Sequence, residues 1–219
     1  MYDITLISTV HTERGNCTSA ELYKIISGIA PEIIFEELPD NLFKICYDQE
    51  IPMEVLELKC VHNYLKDYPV KHFPVDIDIS ATLSNYHIDY MFNEFNRYDA
   101  YRKIERQQVT LTEEQGFGFL NSSYCAELFA EKAALEKQLI AFSNQKEFLA
   151  DFYDRFHKEQ ESREIRMIEN IYNISFHNEY HQAVFLLGSG HRRSFEKLAF
   201  KFNEMNDLKL NWKFYKEHQ

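Results

Sequence analysis

A strand, a helix and a second strand follow one another in the first 38 residues, and that order constrains the fold more than anything after it. Ile4-Thr5-Leu6-Ile7-Ser8-Thr9-Val10 is short, apolar and β-branched, and it runs into His11-Thr12-Glu13 ahead of a Gly15-Asn16 turn signal. Thr18-Ser19-Ala20-Glu21 has the form of a capping box, in which the threonine hydroxyl and the glutamate each satisfy an orphan donor at a helix start. Leu22, Ile25, Ile26 and Ile29 then recur at spacings of three and four, which makes one apolar stripe to lay on a sheet, and Pro31 stops the helix. Glu32 to Leu38 reads as the second strand, ended by Pro39. Parallel strands joined by so short a crossover are right-handed and often adjacent, so Glu36 and Glu37 are expected near His11. Open α/β sheets keep their chemistry at such carboxyl ends.

Beyond Pro39, residues 41–50 and 53–66 read as helices separated by Ile51-Pro52. Val70 to Asp78 reads as a third strand, with Pro74 marking an edge or a bulge. Residues 81–107 are helical in pattern, 110–119 form a polar break carrying Gly116-Phe117-Gly118-Phe119, and helical periodicity resumes over 120–142 and 145–174. The predicted architecture is therefore α/β: a mostly parallel central sheet flanked by helices, in one domain over 1–219. A large helical insertion, about 81–175, caps one rim of the sheet. His181 to Leu187 returns to strand, Gly188-Ser189-Gly190-His191 makes a tight turn, a helix spans about 194–205, and alternating Leu208, Leu210, Trp212 and Phe214 close the chain as a half-buried strand.

Composition narrows the function classes. A formal net charge of −11 repels phosphate backbones and anionic bilayers, so neither nucleic acid nor a membrane is an expected partner. Cys17, Cys46, Cys60 and Cys125 are too scattered for a zinc ribbon or a disulfide framework, and buried reduced thiols are expected. With no apolar run long enough to span a bilayer and no leader pattern ahead of the first strand, a soluble cytoplasmic protein is expected.

Three side chains arrive from separate strand ends: His11, Glu37 and His191. Imidazoles and a carboxylate on one rim suit a divalent metal with an open position, whether zinc, manganese, iron or cobalt. A lone histidine near a strand end is more often a hydrogen-bonded structural residue, and spacing by itself does not separate the two roles. Gly188 and Gly190 are expected to turn at positive φ and throw His191 back over the sheet. Arg163, with Met167 and Asn170, shares a stripe of the helix that precedes the return strand, while Ile165 and Ile168 are expected to face the core. From that stripe the arginine could reach the rim and stabilise an oxyanion. Gly188-Ser189-Gly190 followed by His191-Arg192-Arg193 also suits a phosphate or nucleotide, although neither GxGxxG nor GxxxxGK[ST] is present.

Taken together, Ser8-Thr9-Val10-His11, Pro31 to Leu38, Ser162-Arg163-Glu164-Ile165-Arg166-Met167 and Gly188-Ser189-Gly190-His191 resemble, in order, the motifs of the TraB/TIKI superfamily. Erythromycin esterases and ChaN-like haem-uptake proteins look distantly similar to that group. The resemblance implies His11 and His191 as the motif histidines, Glu37 as the strand-end glutamate, Arg163 as the helix arginine and Asp76 as the acidic residue after the third strand. It also implies manganese or cobalt, since TIKI members are metal-dependent proteases. Ser8 stands where the family's first motif has glycine, and Ile77 follows Asp76 where many relatives have arginine.

The expectation is a metal-dependent hydrolase acting on a peptide or small-molecule substrate, most naturally a peptidase or amidase, with a carboxylic ester as the second choice. His11, Glu37 and His191 hold the metal or its water, Glu37 or Glu13 takes the proton, and Arg163 stabilises the oxyanion. The competing class is a non-catalytic binder that holds an anion or small ligand with Gly188, Gly190, Arg192, Arg193 and Asp76. A third class is an interaction protein, in which an exposed apolar patch on the helical middle would favour a partner or a homodimer.

Overall fold

A computed structural model of the chain describes residues 2–48, 54–78 and 83–216. Five strands, β1 (Tyr2–Thr9), β2 (Ile33–Pro39), β3 (Lys71–Asp76), β4 (Gln182–Gly188) and β5 (Leu210–Phe214), form one all-parallel sheet in the order β3-β2-β4-β1-β5. The helices are α1 (Ser19–Ile29), α2 (Asp40–Asp48), α3 (Leu56–Asp67), α4 (Asn85–Phe95), α5 (Asp99–Leu120), α6 (Ser123–Phe142), α7 (Lys146–His177) and α8 (Arg192–Met205).

Because side chains alternate along a strand, each inner strand supplies both faces. Ile4, Leu6, Ile33, Phe35, Phe185 and Leu187 pack with Met167, Ile168 and Ile171 of α7 and Phe195 of α8. Ile7, Ile34, Val184 and Leu186 pack with Leu22 and Ile26 of α1 and Cys60, Val61 and Tyr64 of α3. Both faces are covered, which is why the strands read as continuous apolar runs. A third core of Met91, Phe95, Tyr101, Leu139, Leu149 and Phe152 binds α4, α5, α6 and the first half of α7 together. These helices are the expected insertion, and they carry a core of their own beside the sheet.

The structure departs from the sequence reading in several places. β1 and β2 are not neighbours: β4 pairs with both and lies between them, so a later strand closes the gap left by the first crossover. β3 is an edge strand, one of the two placements that Pro74 allows. Residues 85–107 break at Asn96 into two helices, and 110–119 is not a loop but the continuation of α5. That helix is interrupted only at Gly116, at φ 55° and ψ −131°. A Cβ there would lie 2.9 Å from the carbonyl oxygen of Asn16, while a Cβ on Gly15, at φ +50°, would lie 2.3 Å from that of Glu113. The β1–α1 loop and α5 thus meet backbone to backbone, and Asn16 donates from its backbone N–H to Glu113 and from Nδ2 to the carbonyl of Glu114. Glycine is the residue that permits both the conformation and the approach. Residues 49–53, part of the helices read over 41–50 and 53–66, and 81–82, where the next helix was expected to begin, lie outside the described residues.

Candidate functional site

A cavity of about 520 Å³ opens over the carboxyl ends of β1, β2 and β4. Thr9 and His11 reach it from β1, Glu37 from β2, Gly188 to His191 from the end of β4, and Arg163 from α7, while α5 and α6 roof it with Gln108, Thr112, Phe119 and Phe129. The helical insertion therefore does cap the rim. Its mooring is buried: Asn121, at the end of α5, accepts from the backbone N–H of Ser8 at 2.8 Å and donates back to the Ser8 carbonyl at 3.1 Å. Ser8 lies in regular strand and needs no positive φ.

His191 and Glu37 face one another in this cavity. His191 Nδ1 lies 2.8 Å from Glu164 Oε1, and its Nε2 lies 3.6 Å from Glu37 Oε1. Burial pulls the imidazole pKa down, but the Glu164 hydrogen bond and the charges of Glu37 and Glu164 outweigh it and hold the pKa above the ordinary value. Glu37 is held on both oxygens: Gly188 donates its backbone N–H to Oε2 at 2.6 Å, and Arg163 Nη2 donates to Oε1 at 2.9 Å. The same guanidinium grips Asp76 with Nε at 3.1 Å and Nη2 at 2.5 Å, and Gln160 takes a bond from Nη1 at 2.8 Å. Four of the five N–H donors of an arginine are thus engaged, so Arg163 serves first to neutralise and place two nearly buried carboxylates.

His11 stands more open, with its Nδ1 3.1 Å from Glu57 Oε1, which also accepts from the Thr9 hydroxyl at 2.7 Å. The Glu57 hydrogen bond, working against desolvation, holds the His11 pKa above its ordinary value. A small space of about 40 Å³ between His11, Glu36, Glu37 and Glu57 separates the base of this pair from β2. Glu57 Oε2 is buried without a hydrogen-bond partner among the described residues.

The remaining expected site residues divide. Gly188 and Gly190 border the cavity, but neither adopts positive φ; Gly188 sits at φ −52° and ψ 133°. Space is what Gly188 supplies, since a Cβ there would come within 3.2 Å of Glu37 Oε2. Asp76 reaches the site only through Arg163. Glu13 does not join the cavity: Oε1 accepts from the backbone N–H and hydroxyl of Ser19, and Oε2 pairs with Lys59, so it caps α1 with a pKa lowered to about 2. The capping box is therefore completed differently, with Thr18 bonding the Glu21 N–H and Glu13 supplying the second acceptor while Glu21 pairs with Lys24. Arg192 is buried and structural. It donates to Asn121 Oδ1 at 2.6 Å, Ser8 Oγ at 3.2 Å and Glu196 at 2.8 Å, which removes it from any anion site. Arg193 is exposed and does not border the cavity.

Glu57 and Glu164 carry roles that motif reasoning passes over. A signal for both exists: Glu164 is in phase with buried Met167, Ile168 and Ile171, and Glu57 with buried Cys60, Val61 and Tyr64. A carboxylate on the apolar stripe of a helix needs a partner, and here the partners are the two rim histidines.

Among the described residues no group of three or more His, Cys, Asp or Glu side chains is gathered as a metal ion would need. Among the described residues neither His11 nor His191 makes a hydrogen bond through Nε2, that of His191 lying 3.6 Å from Glu37 Oε1, but the Glu37 oxygens are already taken by Arg163 and Gly188. No helix among the described residues is long and apolar enough to cross a membrane. No family model, curated protein or solved structure matches the chain.

Proposed function

We propose that the chain hydrolyses a carboxylic amide or ester bond, with His191 as general base. The observation that carries this is the His191–Glu164 pair beside Glu37. A carboxylate on Nδ1 fixes the tautomer that leaves Nε2 free to accept a proton, and stabilises the imidazolium once it has done so. Water drawn to Nε2 and Glu37 would attack a carbonyl carbon held in the cavity, and the proton taken by His191 would pass to the leaving nitrogen or oxygen. Arg163 holds Glu37 in place, and its remaining Nη1 hydrogen can face the developing oxyanion. The order of the rim motifs, which resembles that of the TraB/TIKI superfamily, supports the same class.

A second version adds a divalent ion, manganese or cobalt before zinc or iron, held by His11, His191 and Glu37. It is favoured by one feature: each histidine rests its Nδ1 on a carboxylate, as metal-bound imidazoles commonly do. Such an ion would supply a Lewis acid and an activated water. Glu37 would have to share its oxygens between the ion and Arg163.

Turnover of p-nitrophenyl acetate and of amino-acid p-nitroanilides, before and after chelation and with elemental analysis of the purified protein, tests both. Activity lost in His191→Asn supports the proposal, and its dependence on a stoichiometric ion selects the second version. Turnover that survives His191→Asn would remove the basis for either.

A further inference from the structure

A groove of about 730 Å³ adjoins the catalytic rim and shares Phe129, Lys132, Gly190 and His191 with the cavity just described. It runs between α6, α7 and α8. Its apolar wall is Phe92, Phe129, Ala133, Phe156, Ile165 and Leu198. Ile165, expected in the core, is instead only half-buried and borders this space. The volume falls within the range of roughly 300–1,000 Å³ that encloses small organic ligands.

The charged groups on the groove are unequal in their commitments. Glu136 is buried and capped by the hydroxyls of Tyr101 at 3.1 Å and Tyr153 at 3.0 Å, Glu164 is spent on His191 and Ser194, and Lys132 is paired with Glu105. Lys197 and Lys201, one turn apart on α8, are exposed and have no ion pair among the described residues. Glu161 of α7 is the exposed carboxylate that also borders the groove. Two ammonium groups without an ion pair among the described residues thus flank the apolar trough.

We propose that this groove binds the apolar arm of the substrate and that the arm ends in a carboxylate held by Lys197 and Lys201. The scissile bond then lies where groove and cavity meet, at Gly190 and His191. The substrate class is an ester or amide whose acyl or aromatic body bears a negative charge remote from the bond that is cut. This deepens the hydrolase proposal and rests on it for the bond, but the binding arm can be tested separately.

The probes are decanoate, decylammonium and decanol, each titrated into the full chain with thermal stability and tryptophan fluorescence as readouts. Decanoate should bind best, and by mass action raise the melting temperature. Lys197→Glu with Lys201→Glu should weaken decanoate roughly tenfold or more, the loss expected for a charge-assisted contact, and improve decylammonium. Ile165→Trp should block all three. Equal binding of the three probes, or none, would overturn the groove assignment even where p-nitrophenyl acetate is turned over. Decanoate binding without turnover of any ester or anilide would leave the groove standing and overturn the catalytic proposal instead.

Discussion

The backbone N–H of Gly188 donates to Glu37 Oε2 across 2.6 Å, joining the ends of two adjacent strands directly above the sheet. A methyl group on that glycine would stand 3.2 Å from the same oxygen, so the carboxylate would have to give by a few tenths of an ångström. Gly188 is at a negative φ that alanine accepts. Gly188→Ala should therefore fold with little loss of stability and lower kcat by roughly tenfold, since small displacements at a reacting centre are expensive. Wild-type kcat in this variant, measured with p-nitrophenyl acetate, would show that Glu37 has no part in the chemical step.

Arg163 separates two carboxylates that are nearly sealed from water, with side-chain exposures of 9% for Glu37 and 4% for Asp76. Arg163→Met leaves both charges uncompensated and should cost about 3–5 kcal/mol. Arg163→Lys keeps the charge but not the fork, and should recover only part of that loss. Urea denaturation of the two variants decides the point; a methionine variant as stable as the parent would mean that the network is not formed in solution.

His191 has a pKa raised above its ordinary 6.5, so its pair with Glu164 contributes stability that is fully present below pH 6.5 and is lost as pH rises through the higher folded value. The stability gap between the parent and His191→Gln should be widest on the acid side and close towards alkaline pH. Turnover needs the neutral imidazole and should rise with pH through the same titration, with a loss of about 10²–10⁴-fold in the glutamine variant. Glu164→Gln removes the bond and charge that raise the pKa, so its acid limb should move to lower pH. A limb that stays in place would disconnect Glu164 from the base.

Glu13 behaves in the opposite sense. Its pKa is lowered from 4.5 to about 2, chiefly by the hydroxyl and N–H of Ser19, so its contribution is present above pH 4.5 and disappears as pH falls towards 2. Glu13→Gln should cost about 1 kcal/mol at neutral pH, as for a lost helix cap, and progressively less in acid. The carboxylate is about one-third exposed, so the Lys59 part should fade in salt. Activity should be unaffected; a large fall in kcat would return Glu13 to the catalytic set.

The strand order along the chain, the mostly parallel sheet, an edge or bulge at β3 and the bulk of the inserted helices are legible in the linear pattern, because apolar periodicity and proline positions are local properties, whereas the polar stretch over 110–119 and the break at Asn96 are not. His11, Glu37, His191 and Arg163 are legible too, since each sits at a strand end or on a recognisable stripe. The placement of β4 between β1 and β2 is not local, and neither is the interlock of Gly15 with Gly116, which ties together segments about a hundred residues apart.

What each charged side chain does is a matter of what it meets. Arg192 and Arg193 are adjacent in sequence, yet one is buried on Asn121 and Ser8 while the other is exposed. Glu13 sits two residues from His11 but is drawn to the start of α1. The sequence by itself determined the strands, most of the helices and which histidines and carboxylates stand at strand ends, because those follow from local periodicity. Only the tertiary structure decided the pairings, His191 with Glu164, His11 with Glu57 and Arg163 with Glu37 and Asp76, because a buried charge must find its partner across the fold.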